Sequence, residues 1–394
     1  MYILKILLII QILIFPIAEL GKIQIGAISL SLNDIFMGFV FAIWIIKNKQ
    51  NIKKQKPKLT RPIIFFIGVS VFSLIINLTW LSFSEFLISF LYLLRWVAYS
   101  SLYFIILSLD KEFLTRFKNI LVIPITIFLF FGYVQFIFYQ NLRNLYYLGW
   151  DEHLYRLFST FFDPNFAGAF LVLTFIYLLY LSIQNIKKSK IFVPLTLIAA
   201  LNLFAIYLTY SRSALIMLGT SLVVFLILLN KRKILFVTLI ILLLLIFVAP
   251  KAFITEGTNI LRIASIEARL DSAKVATDIF VKNPIIGIGF NSYRFAQHKY
   301  GYLKDEGWTT THSGAGTDNS YLFILATTGI VGLITYIYLI YRILYISKTK
   351  NNLMSKVLIA SVTGLLINSL FINSLFFVYI MEWIWIIVAF TENS

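Results

Sequence analysis

Apolar residues run along this chain in long blocks broken by short polar punctuation. A helix needs about 20 mostly apolar residues to cross the hydrocarbon core of a bilayer. On that measure the blocks divide into about twelve spans: Ile6 to Leu20, Leu30 to Ile46, Pro62 to Trp80, Glu85 to Leu109, Ile120 to Tyr139, Phe166 to Ile183, Ile191 to Leu208, Ser213 to Leu229, Ile234 to Val248, Asn319 to Ile346, Val357 to Leu370 and Leu375 to Phe390. The last two are short enough to form one bent hairpin. The opening Met-Tyr-Ile-Leu-Lys leads into the first block without a small-residue cleavage site, so that block is expected to be a retained span. The pattern predicts an all-α, polytopic membrane protein forming one domain over residues 1–394. A large loop at 250–318 is inserted before the last three spans, and no repeat or low-complexity tract stands out.

Composition narrows the class further. Hydrophobic residues make up 60% and charged residues 13%, against about 45–50% and about 25% in soluble domains. That excludes an ordinary soluble enzyme, a nucleic-acid binder and a disordered chain. The formal charge of +17 is largely a matter of topology. Lys and Arg crowd into Lys47 to Arg61, Asp110 to Lys118, Gln184 to Lys190, Lys231 to Lys233 and Arg342 to Lys356, whereas the short alternate loops hold only Lys22, Arg143, Arg156 and Arg212. By the positive-inside rule the first set and both termini are cytoplasmic. Gln140 to Asn165 and Pro250 to Asp318 then face outward. With no Cys and three His, no thiolate chemistry, metal or cofactor is expected.

Candidate chemistry therefore belongs to the outer side. The large loop carries an amphipathic helix, about Leu261 to Lys282, closed by Asn283-Pro284. At 100° per residue, Glu267, Asp271, Lys274, Asp278 and Lys282 share a polar face, while Ile263, Ile266, Leu270, Ala273 and Phe280 share an apolar one. Arg262 and Arg269 project from the apolar face and call for an anion there, unless they snorkel to lipid headgroups. Arg156 and Arg212 lie beside turn-forming sequence at Asp163-Pro164 and Tyr210-Ser-Arg-Ser213. Converging outer arginines suit a diphosphate, because the guanidinium fork binds phosphate bidentately and stays charged; structural salt bridging is the plainer use of each. Arg95 sits roughly 15 Å into its span at about 1.5 Å per residue and is expected either to pair with the intramembrane Glu382 or to serve the diphosphate. Asp318 stands where a helix cap would, and His312 precedes it in a flexible segment; both are also general-base candidates. Gly287-Ile-Gly289 follows no strand and is not a dinucleotide loop. Tyr146, Tyr147, Trp150 and Trp308 suit interfacial anchoring, with sugar stacking as the functional alternative.

Taken in order, Arg156-Leu-Phe-Ser-Thr-Phe-Phe-Asp-Pro-Asn165, Tyr210-Ser-Arg-Ser-Ala214, Arg269, Asn283-Pro-Ile-Ile-Gly-Ile-Gly-Phe290, Asp318-Asn-Ser-Tyr-Leu322 and Thr328-Gly-Ile-Val-Gly-Leu333 resemble the O-antigen ligase/polymerase superfamily of bacterial inner-membrane glycosyltransferases. The resemblance implies metal-independent transfer on the periplasmic face, with Arg156, Arg212 and Arg269 holding the diphosphate of an undecaprenyl-linked oligosaccharide. Ligases of that family typically carry His where this chain has Asp318, which favours a polymerase that moves glycan onto a lipid-linked repeat unit. His312, six residues earlier, keeps alive a ligase acting on lipid A core. The partners implied are lipid-linked donor and acceptor, membrane lipid and a chain-length regulator protein, with no nucleic acid. An alternative of another class is a lipid-linked oligosaccharide flippase or transporter, for which internal repeats and paired discontinuous helices are expected.

Overall fold

The computed structural model describes residues 2–25, 28–48, 57–148, 150–238, 240, 258–259, 264–303, 308–309 and 313–394. Its helices are α1 (Tyr2–Ile14), α2 (Leu32–Asn48), α3 (Thr60–Ile76), α4 (Phe83–Leu107), α5 (Lys111–Ile120), α6 (Val122–Phe138), α7 (Pro164–Gln184), α8 (Ser189–Leu208), α9 (Arg212–Leu228), α10 (Ala264–Lys282), α11 (Tyr293–Lys299), α12 (Ser320–Lys350), α13 (Leu353–Asn368) and α14 (Val378–Asn393). Among the described residues, seven helical stretches are long and apolar enough to cross a membrane, and Arg212–Leu228 and Leu353–Asn368 are shorter apolar helices. A helix satisfies its own backbone groups, which is what lipid demands of a spanning segment. Most of the predicted span Ile234 to Val248 lies outside the described residues.

The described residues are predominantly helical, in line with the all-α expectation, with one small addition. Lys22–Ile25 (β1) and Ile28–Ser31 (β2) form an antiparallel hairpin between α1 and α2, with Lys22 opposite Ser31 and Ile25 opposite Ile28. The alternation Lys-Ile-Gln-Ile and Ile-Ser-Leu-Ser has the period of a strand, but the short pieces lay hidden between apolar runs. The helix α14 is the hub of the bundle. It packs on α4 and α13, and nearly every residue from Val378 to Thr391 is buried. Further pairings are α9 with α13, α7 with α8 and α9, and α3 with α12.

Polar contacts sort the connections onto two opposite ends. At one end Lys5 pairs with Asp110, the Lys58 N–H donates to Glu392 at 3.1 Å, Arg342 donates to the Lys58 carbonyl at 3.4 Å, and Lys350 donates to the Ser394 carbonyl at 2.7 Å. These are the ends and loops rich in Lys and Arg, so both chain ends share one face with them.

The helix α12 is broken. Gly329 has φ +67° and ψ −168°, and the segment Pro284–Gly289 fills the break backbone to backbone. Ile288 N–H donates to Ala326 O and Gly289 N–H to Thr327 O, both at 3.0 Å, while Ile330 N–H donates to Pro284 O at 2.9 Å. Ser73 and Asn77 of α3 complete the joint: Ser73 Oγ donates to Ile286 O at 2.7 Å and to Thr327 O at 2.9 Å, and Asn77 Nδ2 donates to Gly287 O at 3.0 Å. A discontinuous helix is one of the features expected of a transporter. Here the freed backbone groups are taken up by hydrogen bonds within the protein.

Candidate functional site

Three helix N-termini gather at the end of the bundle opposite the Lys/Arg-rich loops. Each is closed by a polar cap: Asp163 accepts from Asn165 N–H at 2.6 Å and Phe166 N–H at 3.3 Å, Ser211 accepts from Ala214 N–H, and Asn319 accepts from Tyr321 and Leu322 N–H at 2.9 and 3.0 Å. Aligned peptide dipoles leave such ends partly positive, which suits an anion. Gly168 lets the first two of these helices cross closely, since a Cβ there would lie 2.6 Å from the Ala214 Cβ.

The predicted arginines occupy this end at different depths. Arg156 is buried; its Nε donates to the Thr209 carbonyl at 2.9 Å and its Nη2 to Asn165 Oδ1 at 3.4 Å. Its chain segment is pinned on α6 by Gln135, which accepts from the N–H groups of Phe158 and Ser159 and donates to Arg156 O at 3.1 Å. Asn165 Oδ1 also accepts from Ser211 Oγ at 2.9 Å, so Arg156 is joined through Asn165 to the start of α9. Arg212 opens α9 and donates to Ser265 at the start of α10. Arg269, one turn further along α10, is near enough to act electrostatically on Arg212 and on Asp318.

The buried face of α10 is not the predicted one. Ala276 and Ile279 are fully buried, and Arg269 and Ser272 are half-buried on the same side, whereas Ile266 and Leu270 are exposed. Small side chains allow close packing on α12, and that contact rather than the widest apolar stripe fixes the helix's rotation. Arg269 is therefore directed toward the protein as expected. Arg262 and His312 lie outside the described residues, as do the side chains of Tyr146 and Tyr147. Trp150 faces Lys22 and Phe162, and Trp308 stacks on His298.

Asp318 does not cap α12; Asn319 does. Its backbone N–H donates to Ser272 Oγ at 3.2 Å, and the same hydroxyl donates to Thr317 Oγ1 at 3.0 Å, tying the segment to α10 beside Arg269. The carboxylate reaches the surface, yet the protein packed around it raises its pKa above the ordinary carboxylate range. Arg269 opposes that rise and the acidic Asp163 and Asp151 add to it.

Arg95 belongs elsewhere, and its expected pairing with Glu382 is not formed. Arg95 makes a 2.9 Å ion pair with Asp34 at the start of α2, donates to the Ser29 carbonyl and lies over the Tyr92 ring. Glu382 is fully buried and accepts from Asn33 Nδ2 at 2.6 Å and from Gln11 Nε2 at 3.2 Å. Glu382 lies only about one turn into α14, and Asp34 reaches the arginine because the hairpin folds beside it. Arg95 shares a cavity of about 150 Å³ with Arg294, an arginine that the sequence reading passed over, and Arg156, Arg212 and Arg269 do not line it.

Asn165, Ser211, Ser265 and Ser272 also escaped notice. Asp-Pro-Asn and Ser-Arg-Ser carry cap signatures that pointed to the first two, but the partnership of Ser265 and Ser272 with distant residues has no local sign. Residues 195–337 match the family model described as O-antigen ligase; the match takes in Arg212, Arg269, Asp318 and both sides of the joint at Gly329. None of the curated proteins matches the chain.

Proposed function

Because the chain is a member of the O-antigen ligase/polymerase superfamily, we propose that it is a polysaccharide polymerase of the bacterial inner membrane. In this reading the protein spans the membrane twelve times, both termini are cytoplasmic, and the site between α7, α9, α10 and α12 faces the periplasm. The growing glycan is transferred from undecaprenyl diphosphate onto a sugar hydroxyl of the next lipid-linked repeat unit. The observation that carries the proposal is the grouping of Arg212 and Arg269 with each other and with Asp318, beside helix N-termini.

Arg212 and Arg269 neutralise the charge that develops on the departing diphosphate, an electrostatic role strengthened where water is scarce. Arg156, buried behind them, orients Asn165 and the α9 N-terminus. Asp318 accepts the proton of the attacking hydroxyl, and its raised pKa makes it a better base than an ordinary carboxylate. An apolar cavity of about 680 Å³ next to the Arg156 segment, lined in part by Phe131, Phe138, Phe158 and Phe162, suits the isoprenoid chain. Asp318 in the position where family ligases carry His favours the polymerase over transfer to lipid A core. Arg212→Ala and Arg269→Ala should each abolish long-chain polysaccharide in cells while the membrane level of the protein is unchanged. Normal chain lengths in both variants would remove the donor-binding assignment.

A further inference from the structure

Polymerisation needs two lipid diphosphates at once: one departs from the donor, and the other stays attached to the acceptor. Arg212 and Arg269 provide for the first. We propose that the cavity between Arg95 and Arg294 holds the second, the diphosphate of the acceptor repeat unit; this rests on the polymerase reading above.

The cavity is assembled from Tyr92 and Arg95 of α4, Asn291 and Arg294 around the start of α11, Ala315 of the turn before α12, and Asn373 of the connection into α14. It has about 150 Å³, room for a small anion such as a diphosphate. Two guanidiniums and no carboxylate are present among its described lining residues. Both guanidiniums are held in place before any ligand arrives: Arg95 by Asp34, the Ser29 carbonyl and the Tyr92 ring, and Arg294 by the Thr309 carbonyl. Fixed arginine forks lose little freedom on binding phosphate oxygens. A second sign of a ligand is Asn373, whose buried Oδ1 makes no hydrogen bond among the described residues and, as an acceptor, calls for a donor such as the hydroxyl of the acceptor's first sugar. Its amide nitrogen lies where a Cβ on Gly316 would come to 3.3 Å, so the absence of a side chain at 316 leaves the amide room. From there Nδ2 can donate to a phosphate oxygen while Oδ1 accepts from the first sugar hydroxyl.

The position relative to Asp318 fits the chemistry. The stretch 313–319 forms a wall between the two arginine sites: Ala315 lines the Arg95–Arg294 cavity, while Thr317 and Asp318 meet Ser272 beside Arg269 on the other side. In the transfer, the acceptor hydroxyl oxygen bonds to the donor's anomeric carbon and the bond from that carbon to the donor diphosphate oxygen breaks. The electron pair leaves with that diphosphate and the hydroxyl proton passes to Asp318. The acceptor's own sugar–phosphate bond is untouched, so its diphosphate must be held without being activated. Arg95, already balanced in part by Asp34, suits holding better than activating.

Calorimetric titration of the purified full chain in nanodiscs with inorganic diphosphate, and separately with undecaprenyl diphosphate, tests the assignment. Wild type should take up two equivalents of either. Arg294→Gln and the near-isosteric Asn373→Asp, which puts a negative charge where the anion would sit, should each bind one, and Arg269→Gln should also bind one. With lipid-linked substrates, Arg294→Gln should raise the acceptor KM about tenfold or more and leave the donor KM unchanged, because a charge-assisted hydrogen bond to the acceptor diphosphate is lost. One equivalent in wild type, two equivalents retained in Asn373→Asp, or uptake of inorganic but not lipid diphosphate at this site would overturn the proposal. Two variant-sensitive equivalents without any polymer formed by wild type would leave the site standing and remove the polymerase reading instead.

Discussion

Gly329→Ala probes the joint on which the site is built. Gly329 has φ +67° and ψ −168°, a region essentially confined to glycine that costs other residues about 1–3 kcal/mol. A Cβ there would fall 2.2 Å from the Ile285 carbonyl oxygen and 2.3 Å from its carbon. The obstruction is backbone, so no rotamer change relieves it. The Pro284–Gly289 segment must move away and give up hydrogen bonds such as Ile330 N–H to Pro284 O and Ile288 N–H to Ala326 O, each worth about 1 kcal/mol net. Strain and lost bonds together amount to about 3–5 kcal/mol, a large part of a typical folding stability of about 5–15 kcal/mol. Gly68→Ala in α3 is the control, because nothing lies within 4 Å of a Cβ there; alanine suits a helix interior better than glycine by about 0.5–1 kcal/mol. The assay heats detergent-purified protein and measures the monodisperse fraction left at each temperature. Gly329→Ala should melt well below wild type and Gly68→Ala at or above it. Equal melting of the two variants would refute the backbone-docking argument.

Asp34→Ala should destabilise the protein by about 3–5 kcal/mol because it strips a largely buried guanidinium of its ion-pair partner, whereas Glu382→Gln should cost far less, since Glu382 bonds to the neutral amides of Gln11 and Asn33; thermal melts of both variants check the ranking. Asp318 has a raised pKa in the fold, so the folded state holds its proton more tightly than the unfolded chain, and its contribution to stability is present below the unfolded pKa and lost as pH rises through the folded one. Asp318→Asn should therefore melt higher than wild type at neutral pH, with the gap closing in acid, while glycosyl transfer falls; an unchanged rate would remove Asp318 as the base. For wild type, transfer should decline with falling pH from a point above the ordinary carboxylate range, measured as a rate profile on lipid-linked substrate. Arg269→Lys keeps the charge and loses the fork, so it should retain part of the rate that Arg269→Ala loses.

The membrane class was legible from the apolar runs, because a spanning helix must be apolar along about 20 residues whatever its neighbours are. The division of Lys and Arg between alternate loops likewise anticipated the side-by-side contacts of Lys5 with Asp110 and of Lys58 with Glu392. Motif order brought Arg212, Arg269 and Asp318 into view, yet only three-dimensional packing showed that they meet. Rotation of α10 was misjudged because Ala276 and Ser272 pack closely while Ile266 and Leu270 do not, and periodicity weights size rather than fit. Arg95 was matched to the wrong acid because pairing depends on how the β1–β2 hairpin folds against α4, which no spacing along the chain reports. Arg294 and Asn373 sit in segments with no motif, and their shared cavity is a product of tertiary structure alone. The glycines at 287 and 329 were visible as motif residues, but their reason is tertiary: a Cβ on Gly287 would strike the Thr327–Thr328 backbone, and one on Gly329 the Ile285–Ile286 backbone.

The central claim is that this chain joins lipid-linked glycans through the site around Arg269 and Asp318. Its most direct test incubates the purified protein with a synthetic undecaprenyl-diphosphate repeat unit alone, without nucleotide sugar, and resolves the products by length. The account predicts a ladder of products several repeat units long, with release of undecaprenyl diphosphate, that disappears in Arg269→Ala. Failure of the wild-type protein to join the units, together with movement of the intact lipid-linked substrate across proteoliposomes, would contradict it.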